Sequence, residues 1–496
     1  MACAMGIDLG TSSLKVMIVD SGGRVLAESS RRYQFDAPRP GWAEQDAGVW
    51  WNACVGAVRE ALAKLGERAA PVGALGFSGQ MHGLVPLDRE RRVIRPAILH
   101  CDTRSAAVVE GLRGRAALFP PFNPVYTGFL LCSLLWMREH EPEQYRRIDR
   151  VCLPKDFLKL KLCGELSGDY SDASGTLAFD LERLEWAAPL LEKLDLPEAW
   201  FPPCFEAAAV VGRVSAAAAA ETGLAEGTPV VSGGGDQVMQ AIGNGAIQSG
   251  QATVNIGSSG QVCFQSDRAV ANPALTTNTF CGYGRGRWIV MGATMTAGLS
   301  LKWLNRLFAG ADFQQLDDEA AALPPGAGGV LFLPWLSGER TPFVNPELSG
   351  AFLGLSLSTE KAHLVRAVME GVAFSLYQCY EVCGGLGLHA SELIASGGGA
   401  RSRVWLQIIA DLFGLPLKTA VLGEQACLGA AAAAFTGAGV FGSVAEAVSR
   451  LVRYKPEPVE PIRSHHDTYA AFYRQYQETY PAIGGVLQNL TRLRPE

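Results

Sequence analysis

Apolar and polar positions alternate around a glycine-containing turn at two places in the chain, and the two places read alike. Residues 7–13 are Ile-Asp-Leu-Gly-Thr-Ser-Ser and residues 254–260 are Val-Asn-Ile-Gly-Ser-Ser-Gly, the second copy beginning 247 residues after the first in a chain of 496. Each is followed by a further apolar run, at 16–19 and at 262–264. Alternation of period two, interrupted by Gly and short hydroxyl residues, predicts strand, tight turn, strand. Recurrence at half the chain length predicts two related halves, residues 1–247 and 248–496, with residues 243–250 as the crossing point.

Helical spacing fills the intervals. Residues 46–65 place Val49, Trp50, Ala53, Val58 and Leu62 on a helical stripe, and 71–77 then reads as a strand. Leu364, Val368, Val372 and Leu376 recur every four residues, the mark of one apolar helix face. Residues 228–235 form a strand ending in three glycines, with a helix expected next, and 393–401 repeat that pattern. The helix after the second run is expected over 402–412, with Ser402 as cap, Gly414 as stop, and Trp405, Ile408, Ile409 and Leu412 on one face. A second helix-like stretch runs over 469–480. Strand and helix thus alternate in both halves, which predicts an α/β architecture. Residues 104–225 are less regular, punctuated by Pro120, Pro121, Pro124, Pro202 and Pro203, and read as insertions that shape a substrate pocket.

Composition narrows the function classes. A chain of 496 residues exceeds what one core holds, so at least two domains are expected. With 43 basic against 49 acidic residues the net charge is -6, which gives no electrostatic reason to expect nucleic acid or an anionic membrane as partner. The start, Met-Ala-Cys-Ala-Met, has no basic leader pattern, and the 12 Cys lack C-x-x-C spacing, so reduced thiols in the cytoplasm are expected. The uncharged run 426–442 is Ala and Gly rather than Leu and Ile, and reads as a buried small-residue helix, not a membrane span. No zinc-type ligand set and no G-x-x-x-x-G-K-[ST] loop appear.

The candidate chemistry sits in the turns. Gly, Ser and Thr at a hairpin turn leave backbone N–H groups unobstructed beside short hydroxyls, and two such turns facing each other could grip both ends of a triphosphate. The copies differ in charge at one position, Asp8 against Asn255, so one half alone supplies a carboxylate able to hold Mg²⁺ through water. Asp236 emerges at the carboxyl end of a strand after Gly233, Gly234 and Gly235, where open α/β sheets place ligands. It reads equally as a general base or as a helix N-cap. Gln80 and His82 lie in a loop between Gly79 and Gly83, suited to binding a polyol.

Taken together, residues 6–15, 79–83, 169–176, 234–236 and 396–400 make the chain resemble the FGGY carbohydrate kinases over nearly its whole length. Met81-His82-Gly83 and the Ser171–Thr176 segment point to the branch that phosphorylates D-xylulose with ATP. The resemblance implies two ribonuclease H-like, actin-type lobes with a central cleft, sugar mainly against the first and MgATP mainly against the second. It implies Asp236 as catalytic base and Asp8 near Mg²⁺, held through water. Gln80, Met81, His82 and Gln237 would line the sugar site. Thr11, Ser12 and Lys15 would face the phosphates from one side, Gly257 and Ser258 from the other, with Gly398, Gly399 and Ala400 at the nucleoside. Gln237 and His100 depart from the Asn and Trp usual in the family. A homodimer is common among such proteins. Sister kinases acting on gluconate, ribulose or glycerol are the nearest alternatives. An actin-like ATPase serving a protein partner is more distant, since only about 40 residues follow Arg453 to build a partner domain.

Overall fold

The computed structural model describes residues 1–66, 70–115, 118–308 and 310–494. Both predicted hairpins form, and each nucleates a sheet. In the first, β1 (Cys3–Leu9) pairs antiparallel with β2 (Ser13–Asp20), which pairs antiparallel with β3 (Val25–Arg32). On its other edge β1 pairs parallel with β4 (Val72–Gly79), beyond which lie β6 (Pro229–Val231) and β5 (Val210–Arg213), in the order β5-β6-β4-β1-β2-β3. In the second sheet β7 (Gln251–Ile256) pairs antiparallel with β8 (Gly260–Ser266) and parallel with β11 (Glu392–Ser396). With β9 (Asn278–Cys281), β10 (Trp288–Thr294) and β12 (Leu417–Thr419) the order is β9-β10-β8-β7-β11-β12. Read outward from the hairpin, the two sheets repeat the same parallel and antiparallel neighbours.

Each sheet carries its own core. Helix α1 (Ala47–Leu65), capped by the Asp46 side chain on the Gly48 N–H, buries Trp50, Cys54 and Val58 against the first sheet. Helix α5 (Lys361–Gly385) buries Val365, Val368, Val372 and Leu376 against the second. Helix α6 (Arg403–Phe413) starts at Ser402, whose hydroxyl accepts from the Trp405 N–H, and stops at left-handed Gly414, as the pattern predicts. The irregular region 104–225 builds a satellite core around helix α2 (Leu130–His140), which buries Leu130, Leu134 and Trp136.

Three elements differ from the expectation. The strand over 228–235 breaks at Gly233 (φ +71), then resumes as a two-residue pairing of Gly234 and Gly235 with Ser78 and Gly79. The helix expected over 469–480 runs from Arg463 to Arg492, because its apolar face, Tyr469, Tyr473 and Tyr476, continues to buried Leu487. The small-residue helix α7 (Gln425–Gly437) belongs to the second half by sequence, yet packs on β1, β4 and α3 (Asp236–Asn244) of the first. A Cβ on Gly6 would overlap the Cys427 carbonyl, and one on Gly76 the Ala430 carbonyl, so glycines on the sheet let the helix backbone rest directly on it. Among the described residues no helix is long and apolar enough to cross a membrane.

Candidate active site

The break at Gly233 is what presents Asp236. A Cβ there would strike the Phe77 backbone, so only glycine lets the chain turn inward after β6. Asp236 is then the first residue of α3, the N-cap being Gly235 with no side-chain cap bond, and the N-cap role left open by the sequence is thereby excluded. The loop is held from behind. Ser171 Oγ accepts from the Gly235 N–H (2.9 Å), and Lys159 Nζ donates to the Ser232 carbonyl (3.0 Å). Lys159 in turn pairs with Asp156 (3.0 Å), as does Lys155 (2.9 Å), which also pairs with Asp169 and with Asp172 (2.8 Å). These charges are wholly buried, and removing one partner would strand the others.

Burial pushes the Asp236 carboxyl up to about 7, and the nearby Asp8 charge adds to it against the opposing hydrogen bonds from Gln237. Asp8 is itself raised, by burial first, while the Ser78 hydroxyl (2.7 Å to Oδ1) and Lys15 pull the other way. The Lys15 ammonium pairs with Glu424 (2.6 Å), beside a separate cavity of about 320 Å³ also lined by Glu28 and Glu60.

Asp236 opens into a cavity of about 290 Å³ whose first wall includes Gln80, Met81, His82, His100 and Gln237. Gln80 Oε1 accepts from Thr11 Oγ1 (3.0 Å), while its buried Nε2 has no partner among the described residues and remains available as a donor. His82 adopts φ +73, a strained backbone for a side-chain-bearing residue, and its ring stacks on Phe129 at 4.1 Å. Nδ1 lies 2.7 Å from the Gly175 carbonyl, which fixes the N–H there and leaves Nε2 as an acceptor. Burial lowers His82 to about 3 and His100 to about 4, so both are neutral at ordinary pH.

The opposite wall comes from the second half: Ser259 and Gln261 of its hairpin, with Asn278, Phe280 and Arg340. That hairpin is wired internally, Asn255 Nδ2 donating to Gln261 Oε1 (2.6 Å) and Gln261 Nε2 to Ser259 Oγ (2.8 Å). Its turn is clamped to helix α4 (Gly298–Leu307), since the Gly257 carbonyl accepts from Gly298 N–H (2.7 Å) and the Ser258 carbonyl from Ala297 N–H (2.8 Å). The amides of Thr11 and Ser12, and of Gly257 and Ser258, donate to no acceptor among the described residues. Beside this turn the Gly398–Arg401 loop packs Gly399 against Ile256 so tightly that a Cβ would clash, while Gly398 faces open space and Ala400 is buried. Arg401 and Arg403, next along, border a cavity of about 760 Å³.

Residues 3–243 match the N-terminal domain of the FGGY family of carbohydrate kinases, and residues 252–438 match its C-terminal domain. The chain belongs to that family. A xylulose kinase of Staphylococcus epidermidis is 35% identical over 477 residues, 96% of each chain, and one of Escherichia coli is 35% identical over 498 residues, 99% of each. The solved structure of a xylulose kinase from Rhodospirillum rubrum superposes with a TM-score of 0.90 at 31% identity, covering 98% of this chain and 99% of that one. The two ribonuclease H-like lobes with a central cleft are thus the FGGY kinase architecture.

Within this FGGY kinase, the second-lobe wall of the cavity and the Lys155–Lys159 prop went unread in the sequence. Arg340 lies in Gly-Glu-Arg-Thr-Pro, a turn-like string with no periodicity to place it. For the prop, Lys155 and Lys159 at helical spacing ahead of Asp169 and Asp172 were a usable signal, because two lysines on a mostly apolar helix need buried acids.

Proposed function

We propose that the chain phosphorylates D-xylulose to D-xylulose 5-phosphate at the expense of ATP, with Asp236 as general base. The observation that carries this reading is one cavity bordered both by Asp236 and by Ser259 of the opposing hairpin, so that a sugar hydroxyl and a phosphate meet between them. The names of the relatives supply the sugar, and membership in the family supplies ATP as donor. Residues 1–247 act as the sugar lobe and 248–496 as the nucleotide lobe. The 12 cysteines, none in a disulfide, suit a reducing cytoplasm.

Ionised Asp236 accepts the proton of the 5-hydroxyl as that oxygen bonds to the γ-phosphorus and ADP departs. The unengaged amides of Thr11, Ser12, Gly257 and Ser258 hold phosphate oxygens from both sides, which fixes the line of attack. Neutral His82 and Gln80 orient the sugar, and closure of the two walls excludes water. Gly398, Gly399 and Ala400 face the nucleoside. Burial raises Asp8, the Asp8 charge raises Asp236, and the nearby Lys15 pairs with Glu424, so the two carboxylates form an acidic site that a divalent cation fits. Asp8 would hold Mg²⁺ through water, and the bound ion would neutralise charge on the transferring phosphoryl group.

One observation favours a second reading, a sister kinase for another polyol. Both departures from the family's usual residues, His100 and Gln237, line the sugar cavity. A coupled ADP-release assay across D-xylulose, D-ribulose, gluconate and glycerol decides between them. The proposal expects D-xylulose to give the highest kcat/KM, and a higher value for any other member of the panel rejects it.

A further inference from the structure

Arg340 stands apart from the other charged groups of the cleft. Before it, the buried Glu339 carboxylate accepts the N–H groups of Met295 (2.9 Å) and of Arg340 itself (2.8 Å) and the Ser375 hydroxyl (3.0 Å). After it, the Thr341 N–H donates to the Ala293 carbonyl (2.9 Å) and the Thr341 hydroxyl to the Thr276 carbonyl (2.6 Å). The backbone is therefore pinned on both sides of a side chain that is exposed in the cleft. Its guanidinium lies 5.7 Å over the ring of Tyr126, across from its own lobe, and makes no hydrogen bond or salt bridge among the described residues. A guanidinium carried on a pinned backbone with all its donors unspent, on the wall of the Asp236 cavity, is placed for a ligand oxygen.

Its position within the cavity is also defined. Tyr126 packs edge-on to Phe129 (6.0 Å), and Phe129 stacks on His82, so Arg340 sits at the histidine end. The Arg340 charge is felt by His82 and His100, whereas Asp236 is governed by burial and by Asp8. Arg340 thus stands with the two histidines, and Asp236 with Asp8, on the border of one cavity. Among the lining residues Arg340 is the sole Lys or Arg.

We propose that Arg340 is a specificity-determining residue that reads the carbonyl end of the ketose, its guanidinium donating to the C2 carbonyl oxygen and the adjoining C1 hydroxyl. This rests on the xylulose reading, which puts the C5 hydroxyl at Asp236. A 2-ketopentose closes its ring through O5, so a molecule offering a free 5-hydroxyl also offers an open C2 carbonyl. Bound lengthwise, it brings that carbonyl to the histidine end. Reduction of the carbonyl gives the pentitols xylitol and D-arabitol, which keep the hydroxyl at Asp236 but lose the acceptor-only oxygen that a guanidinium prefers.

The test uses the full chain with Arg340→Gln and Arg340→Lys, folding being checked by unaltered circular dichroism and Tm. For Arg340→Gln the KM of D-xylulose should rise about 10- to 100-fold while competitive Ki values of xylitol and D-arabitol move less than about threefold, and Arg340→Lys should recover part of the loss. Pentitol Ki values that rise in step with the ketose KM would overturn the inference, as would a raised KM for ATP with the ketose KM unaltered, which would assign Arg340 to phosphate. If the wild-type enzyme turns over another sugar better than D-xylulose, the parent reading fails first and takes this one with it. A wild type that passes the panel with variants that fail the comparison sinks the inference alone.

Discussion

The two hairpins share a scaffold and differ in charge. In the first, Asp8 of β1 sits in register with Ser78 of β4, and the Ser78 hydroxyl donates to its carboxylate at 2.7 Å. In the second, Asn255 of β7 sits in register with Ser396 of β11, and the Ser396 hydroxyl donates to its amide oxygen at 3.4 Å. The partner on the next strand is the same residue type at the same register, so the difference is confined to one side-chain atom and to what it can do. An amide both accepts and donates, and Asn255 passes its donor to Gln261 and so braces the turn. A carboxylate only accepts, and Asp8 is left as a charge facing another carboxylate. A second Asp at 255 would add a further negative charge beside a triphosphate. The duplicated fold thus gives one lobe an anionic turn and the other a neutral one.

Five measurements press on this contrast. The largest effect is expected from Asp236→Ala, which removes the base while sparing both cradles: kcat should fall about 10²- to 10⁴-fold with ATP affinity by calorimetry nearly unaltered. Asp8→Asn makes the first hairpin resemble the second, and kcat should drop on the order of 100-fold with a weakened response to Mg²⁺ titration. If ATP binding collapses instead and turnover of the remaining complex is normal, Asp8 is only a structural partner of Ser78. The reverse exchange, Asn255→Asp, makes the second hairpin resemble the first, and the KM for ATP should rise about tenfold with a smaller change in kcat.

The smallest effect is one of pH. In the proposed base role Asp236 must be ionised, and its carboxyl is pushed up to about 7, so log kcat/KM of wild type should fall as pH drops through about 7. The same shift acts on stability. A carboxyl raised above its unfolded value binds its proton more tightly when folded, so its contribution is full below the unfolded pKa and is lost as pH climbs toward 7. Asp236→Asn should therefore gain in Tm over wild type at pH 8 and gain little at pH 4, as differential scanning fluorimetry would record.

Much of this molecule is written locally. Both hairpins, α1, α5 and α6, and the glycine run that delivers Asp236 follow from spacing within about 20 residues, where period and turn chemistry act without help from the rest of the chain. The 426–442 run shows its small residues in the sequence but not the surface they serve, because Gly6, Gly76 and Gly243 meet α7 only after the halves assemble. Lys15 is drawn to Glu424, 409 residues away, and a pairing of that range has no local signature.

The sequence alone determined the repeated strand–turn–strand frame, the α/β class and which half bears a carboxylate, since these depend on residue type and short-range period. Tertiary structure alone decided that Asp236 heads its helix rather than capping it, that buried lysines brace the loop behind it, and that the second lobe walls the Asp236 cavity with Arg340. The physical reason is that desolvation and charge pairing depend on which distant segments exclude water together, and that is fixed by packing rather than by spacing along the chain.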